Sequence, residues 1–188
     1  MNLSLQEIAS TAEKTYTYED YRKLPEGAPY QLVGGELVLT PAPGTYHQII
    51  SFNLGLAMGN IVVSKRLGRI LFAPIDVYLE ETETYQPDII FIARERMEII
   101  EPARINGAPD LVAEILSPTT AYYDLRKKYK VYEKCGVSEY WIVDPEEKSV
   151  QIFLLKEGKF ALDQEAATQG TVTSRVIEGF TISLETIF

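Results

Sequence analysis

The stretch Pro109–Pro118 reads PDLVAEILSP, and between its prolines Leu111, Val112, Ala113, Ile115 and Leu116 form an apolar run. That composition suits a β-strand in the middle of a sheet, covered on both faces. Glu114 interrupts the run. A carboxylate buried among aliphatic side chains is costly unless a cation or hydrogen-bond donors compensate it, so the reading of the chain turns on what meets Glu114.

Two other places answer that question. In YQPDIIFIA, Asp88 follows a proline at the mouth of a second apolar strand, where two acidic residues on neighbouring strands can converge. Such a pair repels without a cation, and Mg²⁺ takes one or two protein carboxylates while keeping several waters. The third component comes from helical phase in AYYDLRKKYKVYEKCG. At about 100° per residue, Lys128 falls within the apolar arc of Ala121, Leu125, Tyr129 and Tyr132, whereas Lys127, Lys130 and Lys134 fall on the solvent side. Two strand carboxylates and an inward lysine suit phosphodiester hydrolysis: a metal polarises the phosphate and lowers the pKa of a bound water, and the lysine orients that water or offsets growing charge.

The rest of the chain frames these residues. Its 188 residues, 46% hydrophobic, are read as one domain, 1–188, with 1–15 as a flexible N-terminal arm. Thr17 precedes YEDYRKL as an N-cap. YQLVGGELVLT predicts a hairpin over about 30–40 turned by Gly34 and Gly35. From Tyr46 to about Arg66, His47, Ile50, Leu54, Met58 and Ile61 recur at helical spacing, and Gly55 and Gly59 are expected to allow close packing on the sheet. RILFAP, DVYLE and DIIFIA read as strands and RERMEII as a helical turn. A helix from about Ala121 to Lys134 ends at Gly136, then EYWIVD and VQIFLL follow, and KFALD and the C-terminal segment add short strands. This order predicts an α/β (α+β) domain, a mixed sheet with helices packed on it.

Composition excludes several classes. No run approaches the roughly 18 apolar residues of a membrane span, and a cytoplasmic protein is expected. One cysteine, Cys135, and one histidine, His47, rule out an internal disulfide and a Cys/His zinc cluster, so a metal must be held mainly by oxygen. A net charge of -9 argues against broad attraction to nucleic acid. Local basic surfaces are still expected at residues 122–136 and at Lys65, Arg66 and Arg69.

Taken together, GELV, HQ at the start of the long helix, QPDIIF, PDLVAEILSPTT, the Asp124/Lys128 spacing and GVSEYWIVDP resemble the Uma-two family of the PD-(D/E)XK superfamily, over roughly residues 17–155. The resemblance implies a restriction-endonuclease-like fold, Asp88 and Glu114 as ligands of Mg²⁺ or Mn²⁺, and metal-dependent endonucleolytic cleavage of DNA. Leu116 stands where the superfamily lysine belongs, and the matching position is Lys128. Glu36, His47 and Asp124 are secondary site candidates. Ser117 is read as a cap, Tyr122, Tyr123, Tyr129 and Tyr132 as helix packing, and Trp141 as core. Duplex cleavage by one site per chain makes a homodimer the expected partner state. The rival readings are a catalytically silent binding module on the same fold and a hydrolase of smaller phosphate esters.

Overall fold

A computed structural model describes residues 15–25, 27–117 and 121–188. The expected N-terminal arm falls almost wholly outside the described residues. Thr17 is the N-cap of α1 (Tyr18–Tyr21), with the Asp20 carboxylate accepting its backbone N–H. The hairpin follows as β1 (Tyr30–Val33) and β2 (Glu36–Leu39), paired Val33 to Glu36 across Gly34 and Gly35. Both glycines have positive φ, 61° and 77°, as a two-residue primed turn demands.

The long helix α2 spans Thr45–Lys65 and leads into β3 (Gly68–Phe72), β4 (Val77–Glu80), β5 (Glu83–Tyr85) and β6 (Ile89–Ala93). The RERMEII turn is a 3₁₀ segment, Arg94–Ile99, followed by β7 (Ile105–Asn106) and β8 (Leu111–Ile115). A π-helical turn, Tyr123–Lys128, runs into α3 (Tyr129–Cys135), which ends at Gly136. Strands β9 (Glu139–Asp144), β10 (Ser149–Lys156), β11 (Lys159–Ala167), β12 (Thr171–Thr173) and β13 (Thr181–Ser183) precede the short α4 (Leu184–Ile187).

The strands form a six-stranded mixed sheet, β11-β10-β9-β8-β6-β3, a five-stranded sheet, β2-β1-β5-β4-β7, that takes in the hairpin, and a β12-β13 ribbon. In the large sheet β8 lies between β9, its parallel partner, and the antiparallel β6, so the quoted strand is central as its composition predicts. Alternation then sends its residues to opposite faces. Leu111, Ala113 and Ile115 pack with Ile50, Leu54, Met58 and Val62 of α2 in one core. Val112 packs with Tyr85, Tyr132 and Tyr140 in the other, and Glu114 points the same way. Trp141 is fully buried, as expected.

Two readings need correction. Leu125, taken as the centre of the apolar arc, is exposed, and the buried positions are Asp124, Lys128 and Tyr132. The π-helical turn widens the spiral, so 100° phasing fails there while the four-residue spacing of the three survives. Gly55 does admit the sheet, since a Cβ there would lie 2.2 Å from Phe72 Cε1, but nothing lies within 4 Å of a Cβ at Gly59.

Candidate active site

Strand ladders set the position of each acidic group. Register between β6 and β8 pairs Ile89 with Ala113, so β6 ends before it can supply a partner for Ile115. The Asp88 carboxylate, just before β6, accepts that N–H at 2.7 Å through Oδ2. His47, on the first turn of α2, places Nε2 3.3 Å from the same Oδ2 and 3.1 Å from the Ile115 carbonyl oxygen. Burial lowers the imidazole's proton affinity, but Asp88 outweighs it and leaves the His47 pKa above its ordinary value. The second Pro-Asp pair serves differently: Asp110 accepts the Ala93 N–H at 2.8 Å and an Arg96 guanidinium N–H at 2.9 Å, at the far end of the same strands.

Glu114 is buried beneath α3. Its Oε1 accepts from Lys128 Nζ at 3.0 Å and from the Tyr132 hydroxyl at 2.7 Å. Lys128 Nζ also lies 2.8 Å from Asp124 Oδ1, one helical turn earlier, an ion pair whose angle falls outside hydrogen-bond geometry. All three charged side chains are at most 4% exposed. Tyr85, Tyr132 and Tyr140 wall them in, and Lys128 Nζ sits 5.8 Å from the Tyr85 ring centre. Burial pushes the Glu114 carboxyl above the usual carboxylate range, opposed by Lys128 and reinforced by Asp124 and Asp88. Burial also penalises the Lys128 ammonium, but Glu114 and Asp124 overcome it and hold the lysine protonated.

The structure thus brings Asp88, Glu114, Lys128, His47 and Asp124 together. Glu36 stands apart, exposed at the hairpin and paired with Lys127 at 3.2 Å. That pair, with Lys134 bound to Glu80 and Lys128 buried, removes much of the basic surface expected over 122–136. Ser117 borders undescribed residues, although its carbonyl accepts the Ala121 N–H at 2.9 Å. Sequence reasoning missed Tyr132, read as packing only; its position four residues after Lys128, on the same face, was the available signal.

The donor set suits a hard divalent cation. Donors to Asp88 use Oδ2 and donors to Glu114 use Oε1, so among the described residues Oδ1 of Asp88 and Oε2 of Glu114 carry no hydrogen bond. Glu114 shares the one Lys128 ammonium with Asp124 and is further repelled by Asp88, an imbalance that a cation relieves. No cage of three or more side-chain ligands exists among the described residues, which restricts the fit to an ion that keeps much of its water.

Comparison with known proteins agrees with this architecture. The chain is similar to a crystal structure described as a putative nuclease belonging to DUF820 from Anabaena variabilis ATCC 29413, with a TM-score of 0.75 and 22% identity, covering 92% of this chain and 97% of that one. At that identity the likeness establishes the fold. A curated relative, the uncharacterized protein sll1609 of Synechocystis sp., is 25% identical over 116 residues, 61% of this chain and 65% of its own length. Among the described residues no helix is long and apolar enough to cross a membrane. A model of the Uma2 family, described as "Putative restriction endonuclease", matches residues 18–185, and the chain belongs to that family.

Proposed function

We propose that the chain is a Mg²⁺- or Mn²⁺-dependent endonuclease that hydrolyses DNA phosphodiester bonds with a metal-activated water. The observation that carries this reading is the meeting of Asp88 and Glu114 at adjacent strand ends, each with one carboxylate oxygen that accepts no hydrogen bond among the described residues, beside the buried Lys128. Family membership supports the nuclease class. Asp88 and Glu114 would hold the ion, which supplies Lewis acidity toward the phosphate and a bound water of lowered pKa. The protein's own work is preorganisation. Tyr132 and Lys128 fix one oxygen of Glu114 and so aim the other, and the Ile115 N–H and His47 do the same for Asp88. Lys128 is a positioning residue in this state, because its ammonium is committed to two carboxylates. Cutting both strands of a duplex with one site per chain would call for two-fold association.

That commitment of Lys128 favours one second reading: a catalytically silent module that holds nucleic acid or another partner without cutting. Calorimetric titration with Mn²⁺ and cleavage assays on single-stranded, duplex and branched DNA separate the two. The nuclease reading expects Mn²⁺ binding that Asp88→Asn removes, and cleavage that Glu114→Gln lowers by about a thousandfold. Cleavage that survives Glu114→Gln, or no Mn²⁺ binding with or without DNA, sinks it.

A further inference from the structure

A basic surface without acidic partners among the described residues lies at the opposite end of α2. The chain leaves that helix through Arg66, which holds the left-handed conformation at φ 58°. A glycine is the default there, and a branched or long side chain costs about 1 kcal/mol or more. Leu67 then accepts the Arg94 N–H at 2.8 Å, and Gly68 pairs with Ala93. Gly68, at φ 153°, permits this approach, since a Cβ there would lie 2.0 Å from the Ile92 carbonyl oxygen. The backbone therefore gathers Arg66, Arg69 and Arg94 around one cavity of about 310 Å³. Among the described residues none of the three forms an ion pair, unlike Arg22, Arg96, Arg104 and Arg175. The nearest acids in sequence, Glu95 and Glu98, are exposed on the 3₁₀ segment.

A groove of about 620 Å³ runs between α2 and β3, from Asp88 and Gln48 at one end to Val63 and Ser64 at the other. Val63 also lines the arginine cavity, so the two adjoin across this side chain. The groove presents Phe52 and Phe72, 64% and 45% exposed. From His47 to Arg66 the helix rises roughly 28 Å, the length of about eight stacked nucleotides.

We propose that Arg66, Arg69 and Arg94 form a phosphate-binding subsite for a nucleic-acid strand that lies in the α2/β3 groove and enters the candidate active site at its other end. This rests on the reading of that site as nucleic-acid-directed. Guanidinium forks match phosphate oxygens in pairs, and exposed phenyl faces accept stacked bases without sequence preference. On a chain of net charge -9 the rest of the surface repels a polyanion, so attraction concentrates on this track.

Fluorescence anisotropy with labelled oligothymidylates of 4 to 20 nucleotides, in EDTA and at several salt concentrations, tests the subsite without requiring cleavage. The combined R66Q, R69Q and R94Q variant is expected to bind the 20-mer about 10- to 100-fold more weakly, with a salt slope shallower by about two. Its Mn²⁺ titration should match wild type. Oligomers shorter than about eight nucleotides should show little effect, because they cannot span the groove. Equal affinity and slope in variant and wild type overturn the subsite even where DNA is cut, and leave the nuclease reading standing. A dimer dissolved by F52S, with oligonucleotide binding indifferent to the arginines, also overturns it and gives the groove to a second copy.

Discussion

Glu114 and Glu139 sit on adjacent parallel strands of the same sheet, both buried, yet they point to opposite faces. Glu139 meets neutral donors: Trp141 Nε1–H at 2.6 Å, and the backbone N–H groups of Arg175 at 2.6 Å and Val176 at 3.3 Å. It staples the C-terminal segment to the sheet, and among the described residues no cation pairs with it. Glu114 instead faces an ammonium shared with a second carboxylate, and among the described residues one of its oxygens has no donor. A buried acid in an apolar strand is therefore ambiguous by itself. What distinguishes a site from a staple is whether the surrounding donors use up the carboxylate's capacity and charge.

The largest expected effect is on the charged side of the comparison. Lys128→Met leaves Glu114 and Asp124 without their shared cation, and breaking a buried pair in this way costs about 3 to 5 kcal/mol. Urea unfolding at pH 8 without metal measures it, and adding Glu114→Gln to Lys128→Met should recover part of the loss. Lys128→Met stability equal to wild type would show that the cluster carries no uncompensated charge.

On the neutral side, Glu139→Ala strands three donors, each worth about 1 kcal/mol or more if it stays dry, and should destabilise the fold by roughly 2 to 4 kcal/mol. The loss should appear in unfolding while Mn²⁺ titration of the folded protein is unchanged. Altered Mn²⁺ affinity would erase the distinction between the two glutamates.

A smaller effect concerns pH. Burial raises the Glu139 carboxyl pKa above its ordinary value despite the opposing donors. The native state then binds a proton that the unfolded chain has already released, so this residue's contribution to stability is greatest in acid. It declines as pH rises from the ordinary glutamate range through the raised value. The stability gap between wild type and Glu139→Gln, whose side chain does not titrate, should narrow over that interval. A gap that widens with pH contradicts the assignment.

Much of the charged side was legible in the sequence because it obeys local rules. An apolar run between prolines located the central strand, a Pro-Asp step located Asp88, and helical spacing turned Lys128 inward. Glu139 was not legible, because two of its three partners come from a segment 36 and 37 residues later and are backbone groups that no side-chain pattern encodes. The exposure of Leu125 was hidden for a different reason, since a π-helical turn changes the very period used to read the helix. Strand β5 was missed because ETY carries the polar composition of a turn, although Thr84 and Tyr85 are buried. The groove was hidden in α2 itself: Phe52, Leu56 and Val63 lie exposed on a helix that also buries Ile50, Leu54 and Met58, and a helix apolar on both sides shows only one face to pattern reading.

Gly55 has a consequence for how that groove can be interrogated. Phe72 rests against the bare α-carbon, and a Cβ at this point would overlap its ring. A single methyl would thus swing an aromatic plane away from the helix while leaving every charge in place. Stacking area and electrostatic pull, which change together in most substitutions of a nucleic-acid track, become separately adjustable at this one position.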